Sequence, residues 1–196
     1  MLFRSLDLIH ENGIEWLNVF AVDNVLQRIA DPCFIGATIT ENRSVGAKVV
    51  CKNHPDEKVG VMCLKDNHPS IVEYYELTPE LRDAVDEDGE PAYNFGVILN
   101  YLFKESELED ICENTLPLHI VEKKIPYIDD AGTLIKPEEP NGYKFETLIL
   151  DMIQMMDTCL PFEVERDKEF APIKNKTGID SVESARALLA KNGVTL

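Results

Sequence analysis

Apolar residues fall along the chain in short bursts divided by Gly, Pro, Asn and Asp, and the period of the bursts changes from segment to segment. Leu2, Phe3, Leu6 and Ile9 share one face of a helix over 2–12, which Gly13 ends. Trp16 to Val22 is a nearly unbroken apolar run of strand length, the pattern of a buried, parallel strand, and it stops at the polar pair Asp23-Asn24. Helix, tight turn, buried strand and polar pair is the rhythm of an α/β sheet, where ligands gather at the C-terminal ends of strands. Asp31-Pro32 starts a helix that runs to about Thr40. Segments 46–52, 58–64 and 70–76 alternate as strands, and the polar turns between them predict an antiparallel meander attached to the sheet. Thr78-Pro79 opens a helix to about 85, and 96–103 and 106–113 read as two more. Segments 125–130 and 133–136 form a hairpin around Ala131-Gly132. An amphipathic helix over 145–157 turns Leu148, Ile149, Met152, Ile153 and Met156 inward. Pro161 to Arg166 reads as a strand, and Ser181 to Lys191 as a last helix entered through a capping box with Glu as the acidic partner.

Composition narrows the function. The 196 residues are 44 % apolar, enough for a real core, and no run approaches the ~18 apolar residues of a membrane span. The start, Met-Leu-Phe-Arg-Ser-Leu-Asp, lacks the apolar stretch of a secretory signal, so a cytoplasmic protein is expected. A net charge of −17 leaves no basic footprint for nucleic acid. It also means that an anionic substrate needs local lysines, a helix N-terminus or a divalent cation. Cys33, Cys51, Cys63, Cys112 and Cys159 are odd in number and widely spaced, which argues against zinc and against disulfides and for reduced, mostly buried thiols. His119, inside an apolar run, reads as a packed core histidine. No hydrolase triad motif, Walker loop or other glycine-rich phosphate loop is present. On these grounds alone the chain is an α/β domain with a candidate site near Asp23, a residue that could equally cap the following segment.

Four segments go further. Val22-Asp23-Asn24 is followed by Ile29-Ala30-Asp31-Pro32-Cys33-Phe34-Ile35-Gly36; Val59-Gly60-Val61 precedes Ile71-Val72-Glu73-Tyr74-Tyr75-Glu76. Lys123-Lys124-Ile125-Pro126-Tyr127 comes before Lys136-Pro137 and Pro140-Asn141-Gly142-Tyr143-Lys144; Phe162-Glu163-Val164-Glu165-Arg166 comes before Glu169-Phe170-Ala171-Pro172-Ile173-Lys174-Asn175. In this order and spacing, over essentially the whole chain, they resemble the UDP-N-acetylglucosamine (and N-acetylgalactosamine) pyrophosphorylases. The resemblance implies a nucleotidyltransferase-type, Rossmann-like mixed sheet. It also implies the reaction of UTP with N-acetylglucosamine 1-phosphate to give UDP-N-acetylglucosamine and pyrophosphate. By the same resemblance Asp23 holds Mg²⁺ (or Mn²⁺), Gly60 and Gly96 let backbone approach the sugar, and Glu73, Tyr74 and Asn94 line its pocket. Lys144 and Lys174 are the implied catalytic cations on phosphate oxygens. Without the resemblance, Glu73 is an exposed strand residue and Lys144 a solvated lysine.

Two departures bear on function. Where the family reads Asn-Ala-Gly-Asn, this chain has Asn94-Phe95-Gly96-Val97, and a valine cannot make the second asparagine's hydrogen bond to the sugar. Leu148 and Leu150 stand where the family often has phenylalanines. The family's glycine-rich UTP loop and first strands have no counterpart here, so the chain is expected to begin in mid-domain, with residues 1–160 a portion of the catalytic domain and 161–196 a strand-helix appendage. An exposed sheet edge is then expected to favour self-association. Two alternatives stay open: a pyrophosphorylase for another sugar 1-phosphate, and a non-catalytic UDP-sugar-binding or regulatory module.

Overall fold

The computed structural model describes residues 5–111 and 114–195. It is a mixed α/β structure built on one six-stranded sheet. In chain order the elements begin with α1 (Leu6–Glu11), β1 (Trp16–Phe20), α2 (Pro32–Thr40), β2 (Val45–Cys51), β3 (Val61–Lys65) and β4 (His68–Val72). They continue with α3 (Pro79–Arg82), β5 (Phe95–Lys104), α4 (Glu105–Ile111), β6 (His119–Lys123), β7 (Tyr127–Ile128), β8 (Leu134–Ile135) and β9 (Gly142–Glu146). A 3-10 helix (Ile149–Met155), β10 (Cys159–Glu163), α5 (Arg166–Glu169) and α6 (Val182–Lys191) complete the chain.

The sheet runs β10-β2-β5-β3-β4, with β10 parallel to β2 and the other pairs antiparallel. The ten-residue β5 is its spine. One edge of β5 takes β2; the other takes two strands end to end, β1 against Lys104 to Asn100 and β3 against Gly96. Both run opposite to β5, so they lie in line, and a notch opens between the end of β1 and the start of β3. The notch faces Val97 to Leu99: Ala21 N–H donates to the Leu99 carbonyl (3.0 Å) and Val97 N–H to that of Gly60 (2.9 Å). Leu99 has φ +53°, an irregularity where β5 changes partners.

One face of the sheet carries Val45, Ala47, Val49, Met62, Ile71, Tyr101 and Phe103, packed against Leu150, Met152, Ile153 and Met156 of the segment around the 3-10 helix. On the other face Gly46 leaves room for α2, since a Cβ there would lie 2.6 Å from Thr38 Oγ1 and 2.7 Å from the Phe34 ring. The buried side chain of Lys48 also turns to this face.

Several sequence expectations need correction. Residues 96–103 are not a helix but the centre of β5; flanking strands satisfy its backbone, and both its faces contribute to apolar clusters. β1 is antiparallel rather than parallel and only half-buried, and Val22 beyond it is 92 % exposed. The three middle strands are not a simple meander, because β5 is inserted between β2 and β3; only β3 and β4 form a hairpin. The helix over 145–157 is replaced by β9 and the 3-10 helix. Helix 2–12 is seen as α1 from Leu6, with Leu2 and Phe3 outside the described residues, as are Cys112 and Glu113 of the expected helix 106–113. The capping box of α6 is closed by Ser184, not by a glutamate. Cys33 and Cys51 are exposed rather than buried. β10 straddles the boundary expected at 160/161 and is a strand of the main sheet. The start of α2 at Asp31-Pro32, the Thr78 cap of α3 and the β7–β8 hairpin are as expected.

Candidate active site

The notch gathers residues from four segments. Asp23 leaves β1 into it, and Gly60 enters β3 from it. Glu73 follows β4 directly; its Oε1 would be 3.6 Å from a Cβ on Gly60, and Ile71 Cγ2 and Val97 Cγ2 would be 3.0 and 3.3 Å away. A Cβ at Gly60 would therefore crowd Ile71 and Val97 and come into contact with the carboxylate. Lys174 is delivered by the C-terminal segment, which pairs with the loop after β1. Ile173 N–H donates to the Asp23 carbonyl (2.9 Å), and Val25 N–H to that of Ala171 (3.3 Å). Asn24, buried between the two segments, donates from Nδ2 to the Glu169 carbonyl (2.7 Å) and accepts from Ala171 N–H (2.8 Å). Asp23 and Lys174 are thus carried on rungs of one short ladder. Neither enters an ion pair among the described residues.

Beneath this ladder lies a buried charge cluster. Lys48 Nζ is 2.8 Å from Asp31 Oδ2 and 2.5 Å from Glu169 Oε2, and Arg28 lies 3.5 Å from both carboxylates. Burial opposes the charge on Asp31, yet the Lys48 hydrogen bond and charge, the Cys33 N–H and Arg28 outweigh it and hold its carboxyl below the usual range. The cluster fixes Glu169, and through Asn24 the start of the segment that ends in Lys174.

Glu73 titrates the other way. Burial, then the charge of Glu76 and that of Asp151, raise its pKa, against the pull of His119 and Lys174. Tyr74 is exposed and meets Tyr75 edge-on at 5.2 Å. Burial, with Glu73, Glu76 and Glu146 nearby, pushes the Tyr75 phenol up to about 12.

Asn94 and Gly96 sit at the entry of β5. Gly96 is buried, and a Cβ would lie 2.8 Å from Val59. The Asn94 Oδ1 is taken by Lys52 N–H (2.9 Å), which leaves its Nδ2 as the group available to a ligand. Asn94 lines a hollow with Lys52, His54 and Pro91 rather than the notch itself. Lys144 is not gathered in the notch either. It lies on the two-stranded β6–β9 arm, exposed, and pairs with Glu146. Sequence reasoning missed Asn24, Lys48 and Glu169, which carry the ladder, and took His119 for a packed core residue. It is instead a mostly buried ion-pairing residue, 2.9 Å from Asp151 and 3.7 Å from Glu76.

Comparison with known proteins decides what this arrangement belongs to. The family model described as UTP–glucose-1-phosphate uridylyltransferase matches residues 3–195. The chain belongs to this family. Among its members, the mouse UDP-N-acetylhexosamine pyrophosphorylase-like protein 1 is 41 % identical over 195 residues, covering 96 % of this chain and 38 % of the mouse protein. The Saccharomyces cerevisiae UDP-N-acetylglucosamine pyrophosphorylase is 39 % identical, with 93 % of this chain and 40 % of that protein covered. A structure described as a UDP-N-acetylglucosamine pyrophosphorylase of Entamoeba histolytica superposes with a TM-score of 0.86 at 33 % identity, over 97 % of this chain and 48 % of its own. The Trypanosoma brucei UDP-N-acetylglucosamine pyrophosphorylase, solved with an inhibitor, gives 0.80 at 28 % identity, over 95 % and 37 %. The chain spans about two fifths of the length of the uridylyltransferase relatives it matches. Among the described residues no helix is long and apolar enough to cross a membrane.

Proposed function

We propose that this chain carries the sugar side and part of the phosphate side of a uridylyltransferase site. That site joins UTP and N-acetylglucosamine 1-phosphate into UDP-N-acetylglucosamine, releasing pyrophosphate. One observation carries the reading: the notch between β1 and β3 brings together Asp23, Gly60, Glu73 and Lys174, which lie far apart in the chain. In the reaction a phosphate oxygen of the sugar phosphate attacks the α-phosphorus of UTP, and the bond to the pyrophosphate oxygen breaks. Catalysis of this kind rests on positioning and on charge neutralisation.

Glu73, beside Gly60, accepts hydrogen bonds from sugar hydroxyls, and the bare backbone at Gly60 lets the ring approach. Asn94 donates from Nδ2, and Tyr74 covers the pocket. Lys174 neutralises phosphate oxygens, which a protein of charge −17 can do only locally. Lys144 reaches a phosphate only by giving up Glu146, so it has the lesser role. Asp23 fits a Mg²⁺ or Mn²⁺ shared with the phosphates: its carboxylate has no cationic partner among the described residues, and Mg²⁺ is commonly held by one or two carboxylates plus substrate oxygens. Such an ion, when bound, offsets phosphate charge. Val97 borders Gly60 in place of a hydrogen-bonding residue, which supports a second reading, a pyrophosphorylase for a different sugar 1-phosphate. Titration with UDP-N-acetylglucosamine and with UDP-glucose separates the two. Tighter binding of the N-acetyl sugar supports the first reading, and tighter binding of UDP-glucose favours the second.

A further inference from the structure

The proposed function leaves His119 unused. It stands at the start of β6, mostly buried, with Nε2 2.9 Å from Oδ2 of the buried Asp151 and Nδ1 3.7 Å from Glu76 Oε1. Asp151 is fixed in turn, since its Oδ2 also accepts the Leu148 N–H at 3.3 Å. Glu76 closes the turn that carries Glu73 and Tyr74: its N–H donates to the Glu73 carbonyl (2.8 Å), and its Oε2 accepts the Glu73 N–H (3.4 Å). The chain of contacts therefore runs from Asp151 through His119 to Glu76 and ends on Glu73.

We propose that His119 is a positioning residue that ties the Glu73–Glu76 turn to Asp151 and so holds the Glu73 carboxylate beside Gly60. The inference rests on the reading that Glu73 holds the sugar. The groups facing the imidazole are Asp151 from the 3-10 helix, Glu76 and Glu73 from the turn, and Glu146, its register partner on β9. All are acidic. Of the nearby lysines, Lys144 pairs with Glu146, and Lys174 acts on Glu73 through its charge without forming an ion pair. An imidazolium between two carboxylates attracts both. A neutral imidazole keeps one N–H for Asp151 and turns a lone pair toward Glu76, so the turn loses its anchor. Burial lowers the His119 pKa, but the hydrogen bond and charge of Asp151 and the charges of Glu76 and Glu73 outweigh it and set the net shift upward. The sign follows: the tie is made when His119 is protonated and is lost as pH rises through its raised pKa. Glu73 acts in the opposite sense, because protonation removes its acceptor charge as pH falls. Sugar binding is therefore weakened on both sides of an optimum, by two different residues.

The test is calorimetric titration of the chain with UDP-N-acetylglucosamine and Mg²⁺ from about pH 5 to about pH 9, with amide exchange at Glu76 measured at one fixed pH. Wild type, Glu73→Gln and His119→Gln are compared; the glutamine keeps an N–H for Asp151 but carries no charge. The expected result is an affinity that falls on both limbs in wild type, loses its acid limb in Glu73→Gln and its alkaline limb in His119→Gln. In His119→Gln the affinity near neutrality drops about tenfold and Glu76 exchange quickens about tenfold. An alkaline limb that persists in His119→Gln, or unchanged Glu76 exchange, overturns the proposal. Absence of wild-type binding at every pH overturns the sugar reading instead; Glu76 exchange then decides the positioning role by itself.

Discussion

Replacing Lys48 with methionine is the sharpest test of how the site is held. Lys48 is completely buried, and Asp31 and Glu169 at its tip are nearly so. Methionine keeps the volume and removes the charge, leaving two carboxylates facing each other with only the half-exposed Arg28, 3.5 Å from each, to offset them. Removing one partner of a buried ion pair costs about 3–5 kcal/mol. Arg28 places this case toward the lower end. With a urea m-value of about 2 kcal/mol/M, the unfolding midpoint falls by about 1.5–2 M. Trp16, the sole tryptophan, sits on β1 and reports unfolding by fluorescence. The pH dependence adds a second check. Asp31 has a depressed native pKa, so its stabilising contribution is present above its unfolded pKa and is lost as pH falls through the native value. The gap between wild type and Lys48→Met is therefore largest near neutrality and narrows in acid. The double variant Lys48→Met/Glu169→Gln, which removes one of the stranded charges, recovers part of the loss. A Lys48→Met protein within about 1 kcal/mol of wild type would refute the reasoning, because the cluster would then be contributing little more than an exposed pair.

Gly46→Ala drives a methyl into Thr38 and the Phe34 ring and should cost about 1–3 kcal/mol in the same urea assay. Tyr101→Phe removes a wholly buried hydroxyl with no hydrogen-bond partner among the described residues, so thermal denaturation should show no loss, or a gain of up to about 1 kcal/mol. Ser181→Ala removes the side chain that accepts the Ser184 N–H at the start of α6 and should destabilise by about 1 kcal/mol in the same scan.

What the sequence revealed of the fold follows from the range of the forces involved. Asp31-Pro32, Thr78-Pro79 and the Ala131-Gly132 turn act through their immediate neighbours, and the structure has them where the local chemistry puts them. β5 was hidden because Val97 to Phe103 contributes to apolar clusters on both faces of the sheet, and a run without alternation has no period to tell strand from helix. The notch arises only when β1 and β3 share one edge of β5, a pairing set by distant partners. Lys48 looked like any strand lysine, since its acidic partners lie 17 and 121 residues away in the chain. The family resemblance names Asp23, Glu73 and Lys174, and this long-range topology is what brings their chain segments to one place. The same resemblance named Lys144, and local pairing with Glu146 on the arm sets it apart.

The central claim is that the notch is a UDP-sugar site, and calorimetric titration with UDP-N-acetylglucosamine in the presence of Mg²⁺ tests it most directly, on wild type, Asp23→Ala, Lys174→Ala and Lys144→Ala. Saturable binding is expected, weakened by about tenfold or more in each of Asp23→Ala and Lys174→Ala, with Lys144→Ala closer to wild type. Binding that is absent from the folded wild-type chain, or that only Lys144→Ala weakens, would contradict it.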